Sequence, residues 1–175
     1  MILRAMSFAF LRAVFAVRDV VRPRSRILGE VPIRESFCVL DFGCGPGGYI
    51  VPLARMVGST GMVYALDANP LAVRHVIRRA QRRGLANVEA MISEGPIALP
   101  DRSLDVVLLY DVFHLLRDPA GVLRELHRVL KAEGFLSFSD HHMSHDAIVA
   151  GVTSGGLFRL SGKGRYTHTF AKGTP

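Results

Sequence analysis

Short apolar runs alternate along the chain with segments whose apolar positions recur at the three-to-four spacing of a helix. CysValLeuAspPhe (38–42), MetValTyrAlaLeuAsp (62–67), AsnValGluAlaMetIle (87–92), LeuAspValValLeuLeuTyr (104–110) and PheLeuSerPheSerAsp (135–140) read as strands. The run at 104–110 is the most continuous and is expected at the centre of a sheet. Between these runs the pattern predicts a helix over 47–57, entered through a glycine loop, and a second opened by Pro70 and stopped by Gly84. A third opens at Asp118-Pro119 and carries Leu123, Leu126, Val129 and Leu130 on one side, with Gly134 beyond its end. A short helix over 144–154 precedes LeuPheArgLeu and ArgTyrThrHisThrPhe, which flank SerGlyLysGly as a hairpin. The segment SerGluGlyProIleAlaLeuProAsp (93–101) is loop by its Gly and Pro content. Strand, crossover helix and strand in succession define an α/β domain that ends in an antiparallel pair.

The first twenty residues, MILRAMSFAFLRAVFAVRDV, are apolar nearly all round a helix. Arg12 interrupts the run, Arg18 and Asp19 follow it, and no small-x-small cleavage site is present, which disfavours an export signal. The apolar stretch is also shorter than the ~20 residues that span a bilayer. Residues 1–35 are therefore expected to form an N-terminal helical segment that packs on the domain, covers a substrate mouth as a lid, or rests on a membrane surface. Residues 36–175 are expected to form one folded domain.

Composition adjusts this picture in three places. A hydrophobic fraction of 49% suits a sheet buried on both faces. Two cysteines, Cys38 and Cys44, are too few and too close for a secreted disulfide framework, which favours a reducing, cytoplasmic setting. The net charge of +7 permits contact with polyanions, but the arginines are spread along the chain. The densest group, Arg74, His75, Arg78, Arg79, Arg82 and Arg83, reads as the polar outer face of a crossover helix, so no strong nucleic-acid signal emerges.

The candidate chemistry starts at ValLeuAspPheGlyCysGlyProGlyGly (39–48). Gly43, Gly45 and Gly48 match the G-x-G-x-x-G dinucleotide fingerprint, with Asp67 about twenty positions on. Asp41, two residues before the first glycine, would oppose a pyrophosphate and welcome a cationic ligand. A dinucleotide fold also continues with further β-α-β units, whereas this chain closes on a hairpin.

These residues, together with ValTyrAlaLeuAsp, the LeuProAsp and SerLeuAspValValLeuLeuTyrAspValPheHis stretch, and LeuHisArgValLeuLysAlaGluGlyPhe, resemble a class I S-adenosylmethionine-dependent methyltransferase. The likeness is to the small-molecule type related to quinone and sterol methylases, and it covers about residues 38–140, with the hairpin extending it to the C-terminus. It implies a Rossmann-like, doubly wound, seven-stranded sheet, mostly parallel with an antiparallel last strand, in the order 3-2-1-4-5-7-6. It also implies S-adenosylmethionine as cofactor. Gly43, Gly45 and Gly47 would let the backbone approach the methionine portion, and Asp41 would attract its ammonium. Asp67, with Ala68 beside it, would accept the ribose hydroxyls. Glu94 replaces the family's usual Asp after the third strand as adenine partner, and Tyr110 and Asp111 would offer backbone contacts near the amino acid end. Gly48 is incidental on this reading, and Asp105 is structural.

Methyl transfer needs positioning and, for some acceptors, a base. His114 after the fourth strand and His141, His142 and His145 after the fifth are the candidate bases, with His114, His141 and His142 favoured. HisHisMetSerHis (141–145) also offers three imidazoles to zinc, but no fourth ligand is evident and no metal is expected. The Pro-Pro-aromatic element of adenine methylases is replaced by AspValPheHis (111–114), the cysteine nucleophile of cytosine methylases is absent there, and Cys38 and Cys44 are not placed like those of arsenic methylases. This leaves O-, N- or C-methylation of a small or lipophilic acceptor, with a homodimer as one way to cover the cleft. Two other readings stay open: a non-catalytic module that binds the cofactor and serves a partner, and an NAD-dependent oxidoreductase.

Overall fold

The computed structural model describes residues 24–94 and 96–173. In chain order they form α1 (Arg24–Leu28), β1 (Cys38–Phe42), α2 (Ile50–Val57), β2 (Met62–Asp67), α3 (Pro70–Arg82), β3 (Val88–Ile92), β4 (Leu104–Tyr110), a turn of 3₁₀ helix (Phe113–Leu115), α4 (Pro119–Val129), β5 (Leu130–Ser139), α5 (His145–Thr153), β6 (Phe158–Lys163) and β7 (His168–Lys172). The first twenty residues, expected as a helix and candidate lid, lie outside the described set. Among the described residues, no helix is long and apolar enough to cross a membrane.

The seven strands form one sheet in the order β3-β2-β1-β4-β5-β7-β6. Strands β1 to β5 pair in parallel, and β7 runs antiparallel to both its neighbours. Side chains alternate between two cores. Leu40, Phe42, Val107, Leu109, Leu136 and Phe138 meet α4 and α5 on one face, while Val39, Val63, Val106 and Leu108 meet α1, α2 and α3 on the other. Helices on both faces account for the high apolar content and for strands that read as continuous hydrophobic runs. The chain leaves β1 toward β2 and later returns to its other side as β4, so a crevice opens above the carboxyl ends of β1 and β4, where α/β sheets bind ligands.

Caps set several boundaries as expected. The Asn69 side chain accepts from Leu71 N, the Asp118 side chain accepts from Gly121 N, and Gly84 ends α3 at φ 64°. The α3 surface away from the sheet carries exposed Arg74, Arg78 and Arg82 around a buried stripe of Ala72, Val73, Val76 and Ala80.

Three boundaries differ from the sequence pattern. Helix α2 begins at Ile50 rather than at position 47, because Gly47 adopts φ 70°, which a helix cannot include. Helix α4 stops at Val129, and β5 starts at once with Leu130 opposite Leu104; the register then jumps, so that Phe135 faces Val106. Gly134 sits in that irregularity, where a Cβ would lie 2.9 Å from the Leu104 carbonyl oxygen. It permits close approach of two strands rather than stopping a helix. In the hairpin, β6 runs through the SerGly pair, and the turn falls at 164–167. The Glu30 carboxylate holds that turn by accepting from Arg165 N, Tyr166 N, Thr167 N and Thr167 Oγ1, a contact distant in sequence.

Candidate active site

The glycine loop leaves β1 beneath the crevice. Leu66 O accepts from Gly43 N (2.8 Å) and Cys44 N (3.0 Å), folding the loop back over β2. Gly43 has φ 76°, and a Cβ there would lie 2.8 Å from a Val112 methyl. Only glycine both adopts that backbone conformation and lets the connection after β4 close over the loop. The carboxylate of Asp67, at the end of β2, latches this arrangement by accepting from Gly45 N and Asn69 N, each at 2.8 Å.

Asp67 keeps capacity for a ligand, since each carboxylate oxygen can accept more than one hydrogen bond. Burial raises its pKa above the usual 3.8, opposed in part by the Asn69 and Gly45 amides. Asp41 is only 2% exposed. The thiol of buried Cys44 is made much harder to ionise, first by burial and then by Asp41 and Asp67. Asp41 and Asp67 thus set a negative field at the strand-end side of the loop. That field suits a sulfonium or ammonium and opposes a pyrophosphate, so the donor set fits S-adenosylmethionine better than a dinucleotide.

Ala68 follows Asp67 and is exposed. Ser93 N donates to Asp67 O, which sets exposed Glu94 beside the tip of β2. Tyr110 reaches the crevice only through its backbone, because its phenol is buried and bonds Ser137 Oγ at 2.8 Å. Its ring meets Tyr49 edge-on at 5.3 Å, and the Arg24 guanidinium lies 5.3 Å above the Tyr49 ring. A side chain at position 48 would collide with that guanidinium. Gly48 thus has a role that the sequence reading did not find, and Arg24 enters the site from α1 with no motif to announce it.

At the tips of β4 and β5 the histidines and aspartates form two crossed pairs. His114, after β4, places Nδ1 2.7 Å from Asp140 Oδ2 at the end of β5. His141, after β5, places Nδ1 2.7 Å from Asp111 Oδ1 at the end of β4. Each aspartate thereby holds the imidazole of the other connection. Asp111 also receives His141 N, and Asp140 receives His142 N. The His142 ring lies 3.8 Å from His141 and 4.4 Å from His114, joining the pairs into one cluster. Asp111 adopts φ 54° and donates its amide to Ser139 O, which turns its carboxylate toward the second connection.

His145 does not join this cluster: its Nδ1 lies 2.8 Å from His168 Nε2 on β7, so the three imidazoles of HisHisMetSerHis do not converge. Ligand atoms of Asp111, Asp140 and His141 do lie within 4.8 Å of one another. Asp105, read as structural, accepts from Cys38 N and Lys131 Nζ at the opposite end of β4. Asp140 was missed by the sequence reading; its signal was the SerAsp that ends the fifth apolar run in front of paired histidines.

A family model described as a methyltransferase domain matches residues 40–138. The chain is 35% identical over 103 residues to aklanonic acid methyltransferase of Streptomyces sp. (strain C5), covering 58% of this chain and 46% of that protein. It is 28% identical over 125 residues to demethylmenaquinone methyltransferase of Geobacillus kaustophilus, covering 71% and 53%. It is 41% identical over 110 residues to arsenite methyltransferase of Aquipseudomonas alcaligenes, covering 58% and 32%. The chain thus spans about half or less of the length of these curated relatives. Among solved structures, a SAM-dependent methyltransferase from Aquifex aeolicus superposes with a TM-score of 0.82 at 27% identity, covering 94% of this chain and 97% of that one. With its order of strands, its glycine loop and these matches, the chain belongs to the methyltransferase-domain family and has the class I S-adenosylmethionine-dependent fold.

Proposed function

We propose that this protein binds S-adenosylmethionine above β1, β2 and β4 and transfers its methyl group to a small acceptor held above β4 and β5. The observation that carries this reading is the glycine loop latched by Asp67 in a negative field, which suits a cationic ligand with ribose hydroxyls. When bound, the cofactor supplies a methyl group activated by its sulfonium. Asp41 attracts the ammonium, the glycine-loop backbone at Gly43, Gly45 and Gly47 receives the methionine portion, and Arg24 over the loop supplies a positive counterpart for its carboxylate. Asp67 accepts the ribose hydroxyls, Ala68 and Glu94 border the adenine, and the backbone of Tyr110 and Asp111 lines the amino acid end. His114, His141 and His142 face the acceptor side.

Residues 1–35 serve in this reading as an acceptor-side cover or a surface contact, with residues 36–175 as the catalytic domain in the cytoplasm. A homodimer is a second way to close the cleft. Arsenite is disfavoured as acceptor, because Cys44 is a buried thiol that resists ionisation, and thiolates are what bind arsenic.

Calorimetry with S-adenosylmethionine, S-adenosylhomocysteine and NAD tests the reading directly. Binding of both sulfur ligands is expected, and binding of NAD alone would overturn it in favour of the dinucleotide alternative. Turnover of a labelled methyl donor with a metabolite extract separates an enzyme from a cofactor-binding module.

A further inference from the structure

Resting on that proposed function, we infer that His114 is the general base of this site, positioned by Asp140, and that the acceptor atom is the oxygen of an acidic hydroxyl, a phenol or an enol. Three observations carry this. The Nδ1 atom of His114 lies 2.7 Å from Asp140 Oδ2, and the Asp140 side chain is fully buried. A carboxylate there accepts a hydrogen bond from Nδ1–H, which fixes the tautomer and leaves the Nε2 lone pair as a proton acceptor. The His114 side chain is 24% exposed, so the ring is reachable. Finally, the connection that carries His114 presses Val112 onto Gly43, which puts the base beside the cofactor loop.

The second pair differs. His141 and Asp111 are 39% and 17% exposed, a wetter bond that orients its ring less firmly. It acts as a clasp between the two connections, with His142 packed between the imidazoles.

The acceptor class follows from what such a base changes. A neutral amine already presents a lone pair and needs no deprotonation before attack. A hydroxyl is a poor nucleophile until it loses its proton, so a fixed imidazole lone pair accelerates it most. A phenol, with a pKa of about 10, gives up its proton to such a lone pair far more readily than an alkyl alcohol does. The negative carboxylates around the cluster disfavour binding an already ionised phenolate, so the proton leaves during the reaction. The hydroxyl proton moves to His114 Nε2, the O–CH3 bond forms as the S–CH3 bond breaks, and the bonding pair stays on sulfur. The products are a methyl ether, S-adenosylhomocysteine and an imidazolium that returns its proton to water.

Two measurements test this together. In the protein without ligand, nitrogen NMR of the ring of His114 should show the Nδ1–H tautomer near neutral pH, and Asp140→Asn should disturb it; an Nε2–H tautomer would sink the assignment. With a carbon-13 methyl donor and a metabolite extract, the label should appear on oxygen, and label on nitrogen or carbon would refute the acceptor class. His114→Ala should lower kcat about 100-fold or more and remove the acidic limb of the kcat/KM pH profile. Asp140→Asn should shift that limb, which a purely structural clasp would not do. Activity lost to a chelator and restored by magnesium would identify Asp111, Asp140 and His141 as a cation site and overturn the proposal. If S-adenosylhomocysteine fails to bind by calorimetry, the underlying function fails; if it binds and the label is not on oxygen, only this inference fails.

Discussion

The two halves of the crevice are built by different means. Above β1 and β2, backbone amides converge on the partly buried carboxylate of Asp67, beside buried Asp41, and glycine spacing dictates the shape. Above β4 and β5, side chains hold side chains, through two His–Asp bonds that cross between connections and remain partly wet. A ligand common to a family can be met by backbone geometry that tolerates little change. An acceptor that varies is better met by side chains on loops, which can be exchanged without disturbing the scaffold.

If that division is real, variants on the two sides should separate cleanly. The largest effect is expected on the acceptor side, where His114→Ala lowers kcat about 100-fold or more while S-adenosylhomocysteine binds within about twofold of its original affinity. Asp67→Ala should do the opposite, weakening cofactor affinity by about 1–3 kcal/mol through loss of charged hydrogen bonds. Comparable losses in kcat and cofactor affinity from both variants would mean that the crevice acts as one unit.

Gly43→Ala comes next. It forces a side chain into a φ of 76° and into Val112, each a strain of about 1–3 kcal/mol. A Val112→Ala partner should restore part of the melting temperature by making space, but not the backbone component. Full rescue would show that the loop's conformation matters less than its clearance.

These variants also mark what the sequence could and could not disclose. The glycine-loop half of the crevice was legible because its determinants are local: glycines at fixed spacing, and aspartates at the ends of apolar runs. The strand order followed from the resemblance, and the sheet has it. The half above β4 and β5 was legible only as a set of histidines, because the pairing of His114 with Asp140 and of His141 with Asp111 spans 26 and 30 residues and exists only once β4 and β5 lie side by side. The same limit hid Arg24 above Gly48, and Glu30 clamped on a turn 135 residues away. Gly134 misled for a related reason, since a glycine that stops a helix and one that admits a neighbouring strand look alike in one dimension.

Glu30 supplies a control for the comparison. Its carboxylate belongs to neither half, yet it satisfies three amides and a hydroxyl of the β6–β7 turn. Glu30→Ala should destabilise the fold by about 1–3 kcal/mol, read as a lower melting temperature, by leaving those donors unmatched. The cofactor affinity and kcat of the folded fraction should hardly change. A selective loss of either would tie the hairpin to one side of the crevice.

The smallest expected effect is also the most specific to the cofactor side. Burial raises the Asp67 pKa above 3.8, so the folded protein takes up this proton at a higher pH than the unfolded chain does. The stability this group contributes is therefore fully present below about 3.8 and is lost as pH rises through the folded value. On the proposed function cofactor binding runs the other way, because ribose hydroxyls would use the ionised carboxylate as acceptor. Acidification from neutral pH should thus weaken S-adenosylhomocysteine before the usual carboxylate range is reached, while the same proton uptake favours the ligand-free fold. Calorimetry across that range, repeated with Asp67→Asn, measures the difference: the variant should bind more weakly at neutral pH and lose this part of the pH dependence. An unchanged profile in the variant would place the titrating group elsewhere, with Asp41 the next carboxylate to substitute.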